Sequence, residues 1–444
     1  MREIAASRID SMWNKALKSI SPDTTKKFYK WEVVILLWIA FFLNQADRQA
    51  FNIVLPQIQT IFGAKDSTMG LITTLFNLFY AVTVPFAGFY ADRLSRSRQI
   101  ILSTFIFGTA TLFTGFSNSI LLFIIFRCAG MGIGQGMFGP TYIGLIAQYH
   151  DTTTRARAMS LHQTSSYVGV ITCGVLAGLI ADKLGWQYVF YIFGGLSVAF
   201  AFVLLMRLRD KKEESAPSVE VVQTAPKPTF GESVAAFFKV PTAICMLIAF
   251  TGVLFGINGY LTWMPKYMKV TFDLSMTSAG FHSMFWTNVA AFAGVMIGGT
   301  ISDRIIARGK GGANRLLVQI TGLLLAAPCI VLMGLSHNFI LVCAALAGFG
   351  FFRGLFESGT YPVLYDVISS KFYSMAAAIM ILFGFGIGAL APWILGMIGD
   401  RFGLSGGIAM LGVVWLAVSL PLILARFKFY NKDVEKLAHE NDNS

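Results

Sequence analysis

Twelve long apolar stretches constrain the fold of this chain more than any other feature. A helix that crosses a bilayer needs roughly 20 apolar residues. The first six stretches are 31–56, 68–91, 99–117, 120–148, 158–181 and 187–206, and the second six are 242–268, 276–302, 314–334, 338–367, 373–399 and 405–426. Of the 444 residues, 13% are charged, whereas soluble domains average about 25%. We therefore predict an all-α membrane protein with twelve transmembrane helices in two pseudo-symmetric six-helix halves.

Polar segments divide the chain into five predicted parts. These are an N-terminal segment at 1–30, a six-helix bundle at 31–206, a linker at 207–241, a second bundle at 242–427 and a tail at 428–444. The linker is rich in Lys, Glu and Ser and contains three prolines before residue 230, as expected of a connecting segment. Residues 1–20 place apolar side chains on one helical stripe, which predicts an amphipathic helix on an anionic leaflet. A disordered tail is the alternative for this segment.

The basic residues predict the orientation. If the N-terminus is cytoplasmic, 27 of the 35 Lys and Arg residues lie in cytoplasmic segments, five lie on the opposite side and three lie inside spans. Cytoplasmic loops carry such an excess of basic residues. We expect a multi-pass protein of the bacterial inner membrane with both termini in the cytoplasm. The basic residues of the cytoplasmic segments then account for the net charge of +12. We therefore expect no nucleic-acid partner.

The sequence contains no pattern of soluble-type catalysis. The five cysteines lie in apolar segments without the spacing of a metal site, and neither a P-loop nor an HExxH motif occurs. We expect no cofactor, no metal and no enzymatic activity.

Four spans end in the same Gly-x-x-x-Asp pattern, and a basic residue follows each Asp. The pairs are Gly88/Asp92, Gly178/Asp182, Gly299/Asp303 and Gly396/Asp400. Because the second two lie 211 and 218 residues after the first two, the halves repeat each other, as in many secondary transporters. Glycine lets helices approach closely, and Asp can cap a neighbouring helix N-terminus. We predict a conformational latch across a cytoplasmic seam, formed by Gly88, Asp92, Arg93, Gly299, Asp303 and Arg304.

Two of these segments resemble a known family. Residues 88–98, GFYADRLSRSR, resemble the signature loop of the major facilitator superfamily, and Arg127 with the following glycine run resembles its fourth-span motif. Asn-x-x-Asp-Arg at 44–48, with Tyr80, resembles two subfamilies: the anion:cation symporters, which move sugar acids and other organic anions, and the Spinster-type lipid transporters. Both usually have an acid on span 4. Here Gln135 takes that place, and Arg127 lies one residue farther from it than the resemblance implies.

The candidate substrate site starts from charges inside an apolar helix. Asn44, Asp47 and Arg48 recur at helical spacing within the first span, and buried ions in a membrane point to function. Arginine presents a planar fork that suits a carboxylate. The predicted substrate-binding residues are Asn44, Arg48, Asn77, Tyr80, Arg127, Gln163, Asn258, Trp286, Asn288 and Arg353. The alternatives are structural pairs of Arg48 with Asp47 and of Arg353 with Glu357, and a structural role for Arg127.

Coupling to protons needs a group whose protonation changes during transport. Asp47 and Glu357 are the deepest acids, and His162 is a candidate relay. Because Gln135 cannot titrate, we expect Asp47 to carry the coupling: ionised, it would compete with the substrate for Arg48, and protonated, it would release Arg48. Glu357 is the reserve candidate.

These observations predict a monomeric secondary active transporter. We expect rocker-switch, proton-coupled symport of a small organic anion such as a hexuronate, sialate or aldonate, with sodium as an open alternative to protons. A Spinster-like carrier of lysolipids is the alternative within the same fold. A receptor without transport is a remote third reading, because the cytoplasmic segments are too short for an output domain.

Overall fold

The computed structural model describes residues 28–91, 95–151, 154–210, 230–307 and 312–442. These residues form helices joined by short turns, and no strand occurs among them. The amphipathic helix predicted over residues 1–20 and most of the predicted linker lie outside the described residues.

Twelve long helices follow one another along the described chain. The first six are α1 (Tyr29–Phe62), α2 (Asp66–Ala91), α3 (Arg96–Gly115), α4 (Ile120–Tyr149), α5 (Arg155–Lys183) and α6 (Trp186–Arg207). The second six are α7 (Pro241–Phe272), α8 (Met276–Ala307), α9 (Ala313–Leu335), α10 (Phe339–Asp366), α11 (Tyr373–Gly388 and Ala391–Phe402) and α12 (Leu404–Leu424). They correspond to the twelve predicted spans, and the predicted all-α fold is confirmed. Two further helices are the linker helix (Phe230–Phe238) and the tail helix (Tyr430–Asp442).

Ten spans in the described chain are long and apolar enough to cross a membrane by length and composition alone, and α1 and α3 are not among them. Helix α1 carries the polar stretch 44–52, and α3 begins with RSRQ and contains several hydroxyl side chains. Most of the polar side chains in the stretch of α1 are buried, as are most of the hydroxyl side chains of α3, so they lower the hydropathy of both helices without facing lipid. The arginines of α3 lie in its first turn.

Packing divides the chain into two compact units. The first contains the described residues of Met1–Arg48, Phe79–Thr172 and Gln187–Val219, and the second those of Gln49–Leu78, Cys173–Trp186 and Glu220–Ser444. Helices α1, α2 and α5 therefore contribute one part to each unit. The limits predicted for the domains remain predictions.

Close helix contacts hold the first unit together. Between membrane helices van der Waals contact replaces the hydrophobic effect, so small residues at interfaces are favoured. A Cβ added to Gly194 of α6 would lie 2.4 Å from the backbone nitrogen of Leu112 in α3, and one added to Gly108 would lie 2.7 Å from the Cβ of Ser197. Glycine at these positions lets the α3 and α6 backbones touch.

Aromatic side chains with polar tips join the helices of the second unit. Trp263 of α7 donates its indole N–H to the carbonyl of Pro392 in α11 at 2.9 Å. The hydroxyl of Tyr260 lies 2.7 Å from that of Thr287 in α8, and Tyr267 donates to the carbonyl of Gly334 at 3.2 Å. Because all three rings are buried, each supplies apolar contact and one directed hydrogen bond.

Candidate substrate and coupling site

Arg48 of α1 lies over the ring of Tyr80 in α2, inside the first unit. Its guanidinium carbon is 4.8 Å from the ring centroid, the geometry of a cation–π contact. The structure thus brings together two of the predicted substrate-binding residues.

Asp47 faces a different set of neighbours. Its carboxylate is fully buried and accepts hydrogen bonds from the hydroxyls of Thr111 in α3 and Ser197 in α6, each at 3.2 Å. The other carboxylate oxygen, Oδ1, has no hydrogen-bond partner among the described residues. Successive side chains on an α-helix point about 100° apart, so the single polar face predicted for Asp47 and Arg48 is divided in the structure. The predicted direct competition of Asp47 for Arg48 is not supported by this geometry.

Arg127 joins the two residues through the backbone. It is 1% exposed, donates to the carbonyl oxygen of Arg48 at 2.9 Å and interacts electrostatically with Asp47. It lies in a π-helical turn, Ile125–Gly130, within α4. A π turn closes its hydrogen bond one residue later than an α turn, which accounts for the extra residue between Arg127 and the glycine motif. That spacing was the sequence signal for the π turn.

Gln135, about two turns after Arg127 in α4, contacts α1 at Asn44, one turn before Arg48. Its side-chain amide is buried and donates to the carbonyl of Asn44 at 2.9 Å. At the position where the resembled subfamilies have an acid, this protein therefore has an amide that binds backbone. Together Gln135 and Arg127 fix α1 against α4 on both sides of Asp47.

The predicted relay His162 lies in an aromatic stack. Its ring centroid is 4.1 Å from that of Tyr142 and 4.9 Å from that of Phe41, and the side chain is fully buried. This setting favours a packing role over a proton relay. The next residue, Gln163, is exposed.

In the second unit Arg353 pairs with Glu357. Both belong to α10, one turn apart, and Nε lies 3.1 Å from the carboxylate. Arg353 is 6% exposed and the Glu357 side chain 33%. The structural alternative considered for Arg353 is therefore the arrangement observed.

The remaining predicted residues of the second unit are distributed over several helices. Asn77 is buried and Asn258 is half-buried. Trp286 donates to the Nδ1 atom of His282 at 2.9 Å. Asn288 donates to the carbonyl of Met284, one turn earlier in α8, at 2.7 Å. These contacts within α8 reduce the donors that Trp286 and Asn288 offer to a solute.

The predicted cytoplasmic latch is only partly described. Asp92 and Arg93 lie outside the described residues, and Gly88 lies in α2. Asp303 and Arg304 are exposed, and a Cβ added to Gly299 would meet nothing within 4 Å. Among the described residues no helix approaches Gly299 closely, and the cytoplasmic latch stays a prediction.

Two features of the described chain concern metal binding and a cavity away from this site. Among the described residues no group of three or more His, Cys, Asp or Glu side chains could hold a metal ion. A cavity of about 340 Å³ lies between the linker helix and the tail helix, and Lys239, Asp433 and Lys436 are among its lining residues. None of the predicted substrate-binding residues lines it.

The first helix of this all-helical bundle carries a buried carboxylate, Asp47, and a half-buried arginine, Arg48, and ionisable groups inside a membrane helix point to function. Residues 37–392 match the profile of the Major Facilitator Superfamily, and the chain belongs to this superfamily. The resemblance inferred from the sequence motifs is confirmed.

Three proteins show what the chain is similar to in sequence or in structure. It is 27% identical over 318 residues to "Probable anion transporter 4, chloroplastic" of Oryza sativa subsp. japonica, covering 69% of this chain but only 53% of that relative. It is 24% identical over 406 residues to the "Hexuronate transporter" of Bacillus subtilis (strain 168), covering 90% and 94% of the two chains. The crystal structure of a bacterial homolog to the human lysosomal transporter Spinster, inward-facing and unoccupied, superposes with a TM-score of 0.83 at 21% identity, over 92% of this chain and 99% of that one. This last likeness concerns the fold alone.

Proposed function

We propose that the protein is a secondary active transporter for a carboxylated sugar, of the hexuronate, sialate or aldonate type, or for a similar organic anion. It would move this solute together with protons, by rocker-switch alternating access. The similarity to a hexuronate transporter over 90% of the chain supports the solute class.

The observation that carries the proposal is the position of Arg48. A guanidinium in an apolar helix is costly unless it serves a purpose, and the ring of Tyr80 holds it at 4.8 Å. An aromatic ring attracts a cation through its quadrupole, so this contact orients the side chain without cancelling its charge. An oriented planar fork suits a carboxylate better than a point charge would.

Asp47 is the proposed coupling group. Its effect on Arg48 would pass through Arg127, and not through the direct competition for Arg48 that was expected from the sequence. It is buried against two hydroxyls and has an unpartnered Oδ1. A proton on that oxygen would remove a buried negative charge and with it the attraction to Arg127. Arg127 also donates a hydrogen bond to the backbone carbonyl of Arg48. Loss of the attraction between Asp47 and Arg127 would therefore change how Arg48 is positioned.

The proposed setting is the bacterial inner membrane, with both termini in the cytoplasm and the chain acting as a monomer. The distribution of 27 basic residues on one predicted side supports this orientation.

Uptake by proteoliposomes tests the solute class. A labelled panel of hexuronates, sialate, aldonates and a lysolipid would be offered to the parent and to Arg48→Lys. We expect uptake of a sugar acid by the parent, at least a tenfold loss in Arg48→Lys, and no competition by the uncharged sugar. Arg157→Lys is the matched control, because Arg157 is exposed near the start of α5 and lies over an aromatic ring, that of Trp31, and it should transport normally.

Two outcomes would contradict the proposal. One is competition by the uncharged sugar that equals competition by the acid. The other is uptake of the lysolipid without uptake of any sugar acid, which would favour a Spinster-like carrier.

A further inference from the structure

Two aspartates cap the first turns of distant helices within the second unit. The carboxylate of Asp182, at the end of α5, accepts hydrogen bonds from the backbone N–H groups of Met276 and Thr277, at 3.0 and 2.9 Å. It also accepts one from the Thr277 hydroxyl at 2.7 Å. Asp182 thus satisfies donors at the start of α8, where an α-helix leaves its first N–H groups unpaired.

Asp400 repeats this contact in the other sequence half. At the end of α11 it accepts from the backbone N–H groups of Asp66 and Ser67, at 2.8 and 3.1 Å, at the start of α2. Asp400 follows Asp182 by 218 residues, and Met276 follows Asp66 by 210. The exchange is reciprocal: a carboxylate from each sequence half caps a helix of the other half.

The glycine of each motif makes room for its cap. A Cβ added to Gly178 would lie 2.5 Å from the Cα of Thr277, and one added to Gly396 would lie 2.5 Å from the carbonyl oxygen of Asp66. At Gly299, in the same motif on α8, such a Cβ meets nothing within 4 Å. The close approach and the cap therefore occur together at the ends of α5 and α11.

A buried ion pair adds to one of the two caps. Lys266, near the end of α7, pairs with the carboxylate of Asp66, and the two side chains are only 13% and 11% exposed. Gln59 of α1 donates to the same carboxylate and accepts from Lys266 at 2.6 Å. The ends of α1 and α7 are thereby joined to the start of α2.

We propose that these contacts form a paired latch, made of Asp182 on α8 and Asp400 on α2, which closes the protein at the end where α1 finishes and α2 begins. Consecutive helices run in opposite directions, so α5 and α11 end on the side opposite to the ends of α2 and α8. The copies that end α5 and α11 therefore lie at the opposite end of the bundle from those that end α2 and α8, which are the two copies in the predicted cytoplasmic latch.

The proposal rests on alternating access but not on the solute. The two caps join the sequence halves at one end, and access from that side requires both to break. Its test reads accessibility without any solute, so its failure is separate from failure of the sugar-acid assignment.

The reporter is a cysteine at position 74. Thr74 of α2 is 2% exposed and donates its hydroxyl to the carbonyl of Ala389 in α11 at 2.7 Å, so it lies in the closed seam. Thr74→Cys would be introduced into the full chain in proteoliposomes and labelled with a charged maleimide, and each cysteine would be quantified by peptide mass spectrometry. In the background of Asp182→Ala with Asp400→Ala we expect labelling at least tenfold faster, equivalent to about 1.4 kcal/mol.

Two controls keep the result interpretable. Asp151→Ala removes an exposed aspartate that accepts hydrogen bonds from Thr154, at the opposite end of α5 from Asp182, and it should change labelling less than twofold. Native Cys128, fully buried in the first unit, should stay unlabelled in a folded variant. If the double variant unfolds, so that Cys128 reacts, the two single variants replace it in the test. In each of them we expect a threefold rise in the rate of labelling at position 74. Unchanged labelling at position 74 in folded variants, or an equal rise in Asp151→Ala, would overturn the paired latch.

Discussion

At the scale of single residues, Asp47 is the proposed coupling group. Asn at this position keeps the shape of the side chain and mimics the protonated, neutral state. Asp47→Asn should therefore retain exchange of the solute in counterflow but lose accumulation driven by a pH gradient. Both assays would be run in the same proteoliposomes.

Glu357→Gln is the informative comparison, because Glu357 is the reserve coupling acid and pairs with Arg353 at 3.1 Å. We expect it to keep gradient-driven accumulation. If Asp47→Asn still accumulates the solute in response to a pH gradient, the coupling belongs to Glu357 or to a bound cation.

His150 gives a pH-dependent test of stability outside the spans. Its ring nitrogens lie 3.0 Å from the carbonyl of Lys30 and 3.1 Å from the hydroxyl of Thr154, and burial lowers the pKa of His150. The neutral ring stabilises the fold above the unfolded-state pKa of about 6.5, and this contribution is lost as the pH falls through the lowered pKa.

The measurement is the fall in Tm between pH 7.5 and pH 5.5. It should be smaller in His150→Gln than in the parent, since the variant has nothing to titrate at this position. His439→Gln, in the exposed part of the tail helix, should leave the slope unchanged. An equal slope in the parent and His150→Gln would show that the ring charges without cost.

At the scale of helices, two adjacent glycines of α6 form a matched pair. A Cβ on Gly194 would lie 2.4 Å from the backbone of Leu112, whereas one on Gly195 would meet nothing within 4 Å. Gly194→Ala should destabilise the protein by about 1–3 kcal/mol through overpacking. Gly195→Ala should be neutral or slightly stabilising, because alanine is the better helix former.

Thermal unfolding measures the change in stability. Uptake measures whether the spacing of the two helices also affects transport. The spacing of α3 and α6 sets the positions of Thr111 and Ser197, which hold Asp47. Gly194→Ala should therefore also reduce gradient-driven uptake relative to Gly195→Ala. Equal Tm values for the two variants would mean that α3 and α6 can separate freely.

How much of this could be read from the sequence depends on the scale. All twelve long helices were predicted, because a span must be apolar and satisfy its own backbone. The linker helix and the tail helix were not, since they are short and partly polar. At the site, composition identified Asp47 and Arg48 as functional candidates but could not give their neighbours. The contacts to Thr111, Ser197 and Tyr80 depend on how α1 is rotated in the bundle, and sequence periodicity alone does not determine this rotation.

At the scale of the whole molecule, the signature loop after α2 remains a proposed cytoplasmic latch. Asp92 should contact a helix end of the other half when the carrier faces outward. Asp92→Asn should slow transport by shifting the conformational balance and leave solute affinity measurable. Transport rate and binding affinity would be compared in the same preparation. A variant that transports at the normal rate would remove Asp92 from the mechanism.

The ion pair of Lys266 with Asp66 affects the order in which the two caps of the paired latch break. It reinforces the cap on α2, whereas the start of α8 offers Met276 at the corresponding position. Separating the partly buried Lys266 from its carboxylate leaves two charges without compensation, a cost that breaking a backbone cap alone does not add. The cap of Asp182 on α8 would then break before the cap of Asp400 on α2. The solute would enter first between α5 and α8, before the paired latch is fully open.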